Sequence, residues 1–305
     1  MNLTARARAS LFPAVISVST ASLFVRFAIA PLGDAPPLAA AFWRGALAGL
    51  LFLPILLIPK YFRQLREVAA GQFWLIAAAT TVIATHQICF ITSLSLTSVA
   101  ASTFLTSTQP IFTALLGGML IREKVSARSW LAIFGAILGM GIITLSRPSE
   151  GAPHAHALWG NLLALLAALL ASLYTLAARR LRQTTPLVPY MSIVHLSGSI
   201  FLGIIIAITG TNVGYYSSQT WFGLILLGLV PTFVGHSLLT YAVGHLRAFV
   251  VNAAILGEPV GATILAAIFL NEFPSPWTLV GGAVIIGCIL LIVLERDVPV
   301  VPEEA

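Results

Sequence analysis

Two stretches place groups able to bind charge or carry a proton where an oil-soluble segment should hold none. In NAAILGEPVGATILAAIF, residues 252–269, Glu258 is followed at once by Pro259. In FLTSTQPIFTALLGG, residues 104–118, Gln109 is followed by Pro110. A carboxylate in an apolar run binds a cation, takes a proton or faces water, because an ionised acid at the centre of a bilayer costs about 2.5–3.5 kcal/mol on insertion scales. Proline removes the N–H that would bond the carbonyl four residues back and crowds that carbonyl, so Pro259 frees the acceptor of Ile255 beside the acid. Gly257 and Gly261 let other helices approach at the same level. The plainer reading is that Glu258 hydrogen-bonds a neighbouring helix and that Pro110 and Pro259 only kink theirs.

Arg44, in AAFWRGALAGLLFLP, is the second charged group inside an apolar run. Its planar fork of donors suits a substrate carboxylate, and pairing with Glu258 in the empty state is a further option. An acid and an arginine at different depths would together hold an amino-acid-like zwitterion. Arg26 lies about four residues from the end of its run, so it is expected to snorkel to the interface. His86, His195 and His236 also fall inside apolar runs, and any of them facing a cavity would titrate near neutrality; His86, with Gln87 beside it, ranks first. Tyr174, Asn252, Trp43 and Tyr241 are further candidates for a cavity wall, although aromatic residues near the ends of such runs usually form interfacial belts. The substrate-binding set expected from sequence is therefore Glu258, Arg44, His86, Gln109, Asn252 and Tyr174.

The elements that position these groups follow from composition. The chain has 305 residues, 58% hydrophobic and only 9% charged, with a mean hydropathy of +0.98. Soluble proteins carry about 25% charged residues, so this chain must dissolve in lipid. Ten apolar runs recur, at about 11–30, 37–58, 72–93, 97–121, 129–146, 158–178, 188–209, 220–243, 248–270 and 276–294. A hydrocarbon core of about 30 Å is crossed by about 20 helical residues, and lipid admits only helices or closed barrels. Strand alternation is absent, so the expected fold is an all-α membrane protein of ten transmembrane helices. Counting from Ala248, Glu258 lies roughly 15 Å along its helix, near the midplane. The segment MNLTARARAS and the run after it resemble a secretory signal, but Arg26 and Pro31 flank the small-residue box, so an uncleaved first helix is expected.

Basic residues orient the helices. With the N-terminus inside, Arg6, Arg8, Lys60, Arg63, Arg66, Arg122, Lys124, Arg128, Arg179, Arg180, Arg182, Arg247 and Arg296 share one side, and Arg147 lies on the other. Short cytoplasmic loops retain Lys and Arg, so both termini are expected in the cytoplasm of a bacterial inner-membrane protein. The net charge of +6 and pI near 9.8 therefore set orientation; the basic residues form no clustered element for nucleic acid. Cys89 and Cys288 fall within helices and read as packing residues. His154 and His156 form a weak metal-spacing signal in an outer loop, so no metal site and no cofactor are expected. Oligomeric state is not encoded in any recognisable signal.

Residues 87–123, QICFITSLSLTSVAASTFLTSTQPIFTALLGGMLIRE, lie without a gap over 236–272, HSLLTYAVGHLRAFVVNAAILGEPVGATILAAIFLNE. Pro110 falls on Pro259, Gln109 on Glu258 and Glu123 on Glu272. Each copy sits in the fourth helix of a five-helix half, which points to duplication. Five is odd, so the second half enters the membrane from the opposite side, the inverted-repeat plan of many secondary transporters. These stretches, with AAFWRGALAGLLFLP, resemble the EamA-type repeats of the drug/metabolite transporter superfamily over about residues 12–293. The resemblance implies two inverted five-helix repeats, at 11–146 and 158–294, around a central cavity that exports small metabolites, amino acids among them. Gln109 stands where many first repeats carry an acid, which weighs against coupling through two carboxylates.

Enzyme signatures such as H-E-x-x-H, G-x-S-x-G or a P-loop are lacking, so neither catalysis nor ATP-driven transport is expected. The reading from sequence is an inner-membrane secondary transporter exporting an amino acid or a metabolite derived from one, with proton exchange through Glu258. Uptake of a vitamin-like aromatic solute, and a membrane-embedded enzyme or scaffold, remain the alternatives.

Overall fold

The computed structural model describes residues 3–120, 127–145, 156–182, 184–246, 251, 254–255 and 257–293. Among them the regular structure is helical, with no extended strand. The first half contains α1 (Leu3–Ser19), α2 (Ala21–Ala28), α3 (Pro37–Leu56), α4 (Pro59–Gly71), α5 (Phe73–Leu96), α6 (Val99–Thr106), α7 (Gln109–Leu120) and α8 (Ala127–Leu145). The second contains α9 (Ala157–Arg182), α10 (Leu187–Thr209), α11 (Ser218–Leu227), a π-helical segment (Gly228–His236), α12 (Ser237–Val243), α13 (Gly257–Leu270) and α14 (Pro276–Val293).

Local chemistry sets several of these ends. Pro37, Pro59 and Pro276 each occupy the first helical position, where the missing N–H costs nothing. Ser98, Ser217 and Ser275 accept the N–H of the third residue on, from Ala101, Thr220 and Thr278. Gly210 closes α10 in the left-handed region, at φ 64°.

Among the described residues, six stretches are long and apolar enough to cross a membrane: Ala5–Ala28, Pro37–Leu56, Phe73–Leu96, Ala157–Arg182, Leu187–Thr209 and Ser218–Val243. Trp130–Ile143, Gly257–Leu270 and Pro276–Cys288 are shorter apolar helices. The ten expected runs are thus recovered in part. The run at 97–121 divides into α6 and α7 around Ser107 and Thr108, for a reason that belongs to the site. Large apolar side chains cover the outside, Trp74 at 82% exposed and Ile208 at 80% among them, as a lipid-facing surface requires.

The strongest helix contacts join the two halves of the sequence: α5 with α9, α8 with α14, α3 with α10, and α2 with α11. Small residues allow the closest of these. A Cβ on Gly139 would sit 2.9 Å from the carbonyl of Gly281, and one on Gly281 2.7 Å from that of Gly139, so α8 and α14 touch backbone to backbone. Cys89 is buried in the core and Cys288 packs against Gly135; both are free thiols. The halves therefore interleave, and the polar residues of both reach a shared interior.

Candidate functional site

Between α1, α2, α3, α5, α6, α7, α9, α12 and α13 lies a cavity with about 100 Å³ of room for the centres of water-sized spheres. One water needs about 10–15 Å³ by that measure, so the chamber is wide enough for several. Arg44, His86, Gln109, Tyr174 and Glu258 all line it, drawn from five helices far apart in sequence. Asn252 lies outside the described residues, as do Glu123 and His154. His236 joins the wall, with Thr103, Thr106, Ser107, Thr175 and Thr240.

Arg44 is 3% exposed and is held from the second half. Its Nε donates to Thr232 Oγ1 at 3.0 Å, and its Nη2 donates to His236 Nε2 at 2.7 Å. A guanidinium cannot accept, so Nε2 of His236 must carry the lone pair and Nδ1 the proton while this bond stands. The third nitrogen, Nη1, is buried and has no partner among the described residues. An unsatisfied buried donor costs about 1–3 kcal/mol, more for a charged group, so an anion reaching this guanidinium would gain a charge-assisted hydrogen bond.

The anchor itself depends on a distorted helix. Pro231 has no N–H for the carbonyl of Leu227, and its ring pushes on that carbonyl. The helix widens to π geometry over Gly228–His236, and the hydroxyl of Thr232 donates to the freed carbonyl at 2.7 Å. Thr232 and His236 then meet the same guanidinium. Such π segments are frequent at functional sites.

Gln109 begins α7 and donates through Nε2 to Thr175 Oγ1 at 2.7 Å, while its own carbonyl accepts from Ser172 and Thr113. The break before it has a cause in LTSTQP. Pro110 cannot bond the carbonyl of Thr106, and the Ser107 and Thr108 hydroxyls take the carbonyls of Thr103 and Leu105. The run expected as one span is therefore two helices meeting at the cavity wall, and interrupted membrane helices commonly line binding sites. His86 donates Nδ1–H to the carbonyl of Ala167 at 2.9 Å, which leaves Nε2 as the ring's acceptor. Glu258, half-buried, occupies the first turn of α13 with Pro259 buried beside it. Among the described residues it makes no ion pair within 4.0 Å, so Arg44 and Glu258 share the chamber without closing on each other.

Other expected residues lie elsewhere. Trp43 donates Nε1–H to the carbonyl of Val213 and packs edge-on against Trp221, and Tyr241 packs on His245. His195 borders a separate, smaller cavity with Gln87. His156 is exposed in a turn before α9. Arg26 corrects the sequence reading: it is 3% exposed and does not snorkel. Its Nη2 pairs with Glu272 at 3.2 Å, a partner 246 residues away and also buried. Thr232 was missed because a lone threonine in an apolar run carries no signal. The proline before it, in GLVPTFVGH, is the clue that was available.

The sequence matches a family described as the EamA-like transporter family, twice, over residues 9–145 and 158–294. It is similar to the Bacillus subtilis protein YetK, described as an uncharacterized transporter, at 28% identity over 74% of this chain and 69% of that one. It is similar at 24% identity to a second transporter of that organism, YdfC, described in the same way, over 62% of this chain and 61% of that one. A probable terminal-alkyne amino-acid exporter of Streptantibioticus cattleyicolor is 26% identical over 60% of each chain. The chain thus spans about three fifths of the length of two of these relatives. One solved crystal structure superposes with a TM-score of 0.64 at 18% identity, covering 94% of this chain and 96% of its own, a likeness of fold.

Proposed function

Because the chain belongs to the EamA-like transporter family, we propose that it exports an amino acid or a small metabolite derived from one across the bacterial cytoplasmic membrane. It is a multi-pass membrane transporter with a small-molecule substrate, and not an enzyme. In the reading proposed, ten crossings form two inverted five-helix repeats, 11–146 and 158–294, with both termini in the cytoplasm. The shorter helices and the divided α6 and α7 complete the count.

The observation that carries the substrate class is the placing of opposite charges on one chamber. Arg44 offers a buried, unpartnered Nη1, and Glu258 offers a carboxylate that no cation within 4.0 Å neutralises among the described residues. A zwitterion satisfies both at once: its carboxylate takes the Arg44 donor and its ammonium meets Glu258. The hydroxyls of Thr103, Thr106 and Thr175 and the amide of Gln109 supply weaker, adaptable contacts for the remainder of the molecule. The relative named for amino-acid export supports the same class. Glu258 is also the group proposed to exchange a proton for the substrate, since the sequence has no phosphate-binding loop to draw on ATP.

A comparison of amino acids inside and outside cells with and without the protein tests the proposal. Expression should deplete one or a few zwitterionic metabolites inside and enrich them outside. An unchanged amino-acid profile, with another class of solute moved, would replace the substrate reading. In everted vesicles the same substrate should accumulate when the interior is acidified; accumulation indifferent to the proton gradient would remove the exchange step.

A further inference from the structure

The cavity is one-sided. It reaches Ala178, one turn from the end of α9, and Val243, the last residue of α12, on the side where Arg179, Arg180 and Arg182 lie. In the other direction its lining stops at Ala21, Phe90 and Thr103. From those three residues the chain runs on to one place. Ala21 leads up α2 to Arg26, Phe90 up α5 to Thr97, and Thr103 back down α6 to Val99; α13 carries the chain from Glu258 to Glu272.

These four ends are tied together. Arg26 Nη2 bonds Glu272 Oε2 at 3.2 Å and the carbonyl of Thr97 at 2.8 Å. Glu272 Oε1 accepts the backbone N–H of Val99, at the positive end of α6. Thr97 donates its hydroxyl to Asn161 Oδ1 at 2.9 Å, and Gly160 has no room for a side chain against Thr97. The cluster joins α2 and the α5–α6 turn of the first half to α9 and α13 of the second. It is also incomplete, since Arg26 Nε and Nη1 are buried without partners among the described residues. A buried pair that leaves donors unmet repays its desolvation poorly, and water reaching it would satisfy what the protein does not.

We propose that Arg26 and Glu272 form the gate on the side of the membrane away from the basic loops. Their pairing closes that end while the cavity stands open to the basic side, and their separation admits the substrate's exit path. The inference rests on the chain being a transporter with this cavity as its path, but not on which solute is carried. Arg26 and Glu272 are positioning residues, remote from the substrate.

Sided labelling tests it. Cys89 and Cys288 are replaced by Ala, Thr106→Cys is introduced in the wall, and a membrane-impermeant maleimide is applied to right-side-out or everted vesicles. The parent protein should label from the basic side. Adding Glu272→Gln should raise labelling from the gate side roughly fivefold or more and lower it from the basic side. In a second variant, Arg26→Cys with Glu272→Cys in the cysteine-free background and without the Thr106→Cys probe, a short bifunctional thiol reagent should stop transport. Unchanged sidedness in a folded Glu272→Gln protein, or transport through the cross-linked pair, would overturn the gate. Labelling that shifts as expected, where the parent without the Thr106→Cys probe moves no amino acid, would uphold the gate and remove only the substrate proposal.

Discussion

Arg44 is held from two directions and left open in a third, and that asymmetry makes it testable apart from its charge. Lysine keeps the charge but cannot reach Thr232 and His236 with fixed donors while offering another to a ligand. Arg44→Lys is therefore expected to weaken apparent substrate affinity more than tenfold in a vesicle uptake assay, with protein yield close to the parent. Thr232→Val removes the acceptor of the 3.0 Å bond to Nε without touching the cavity wall. A loss of about 1–2 kcal/mol, equal to a roughly 5- to 30-fold rise in the half-saturating concentration, is expected. No change in that concentration would mean that the guanidinium is not held for the ligand. Both charged groups were legible in the sequence, because a charge in an apolar run has few innocent explanations. The pairing of Arg26 with Glu272 was not, because position within a run says how far a side chain must reach for water and nothing about a carboxylate 246 residues away.

At the scale of elements, two prolines convert regular helix into cavity wall by different routes. Pro110 divides a span, and Pro231 widens one. Of the two only Pro110 stands out in the sequence, beside Gln109, and whether a proline leads to a break, a kink or a π turn depends on which hydroxyls are near enough to take the carbonyls around it. Near Pro110 the Ser107 and Thr108 hydroxyls take the carbonyls of Thr103 and Leu105, and at Pro231 the Thr232 hydroxyl takes the freed carbonyl of Leu227. Pro231→Ala restores an N–H for Leu227 and should return the segment to α geometry, turning Thr232 and His236 away from Arg44. Transport is expected to fall at least tenfold while thermal stability in detergent holds or rises, since proline within a helix costs about 3 kcal/mol. Full transport by this variant would show that the π geometry is incidental. The α8–α14 contact offers a separate check on the fold. Gly281→Ala places a methyl 2.7 Å from the Gly139 carbonyl, whereas Gly287→Ala, on the same helix, meets nothing within 4 Å. The first should lower stability by about 1–3 kcal/mol and the second leave the melting temperature near that of the parent.

For the whole molecule, the internal duplication matters because it brings Gln109 and Glu258, matched in sequence, onto one chamber lined from both halves. Composition and the spacing of apolar runs announce a helical membrane protein, since lipid leaves so few other solutions. They do not set how the halves interleave, which is decided by small residues meeting at particular heights. The central claim is that Arg44 and Glu258 together receive a zwitterion in this chamber. It is tested most directly by measuring uptake into everted vesicles of the amino acid that the cell comparison identifies, and comparing the parent with Arg44→Gln and Glu258→Gln. The parent should transport and each neutral variant should lose at least nine tenths of its rate at low substrate, with normal amounts of protein in the membrane. Both variants transporting at the parent rate would contradict the account.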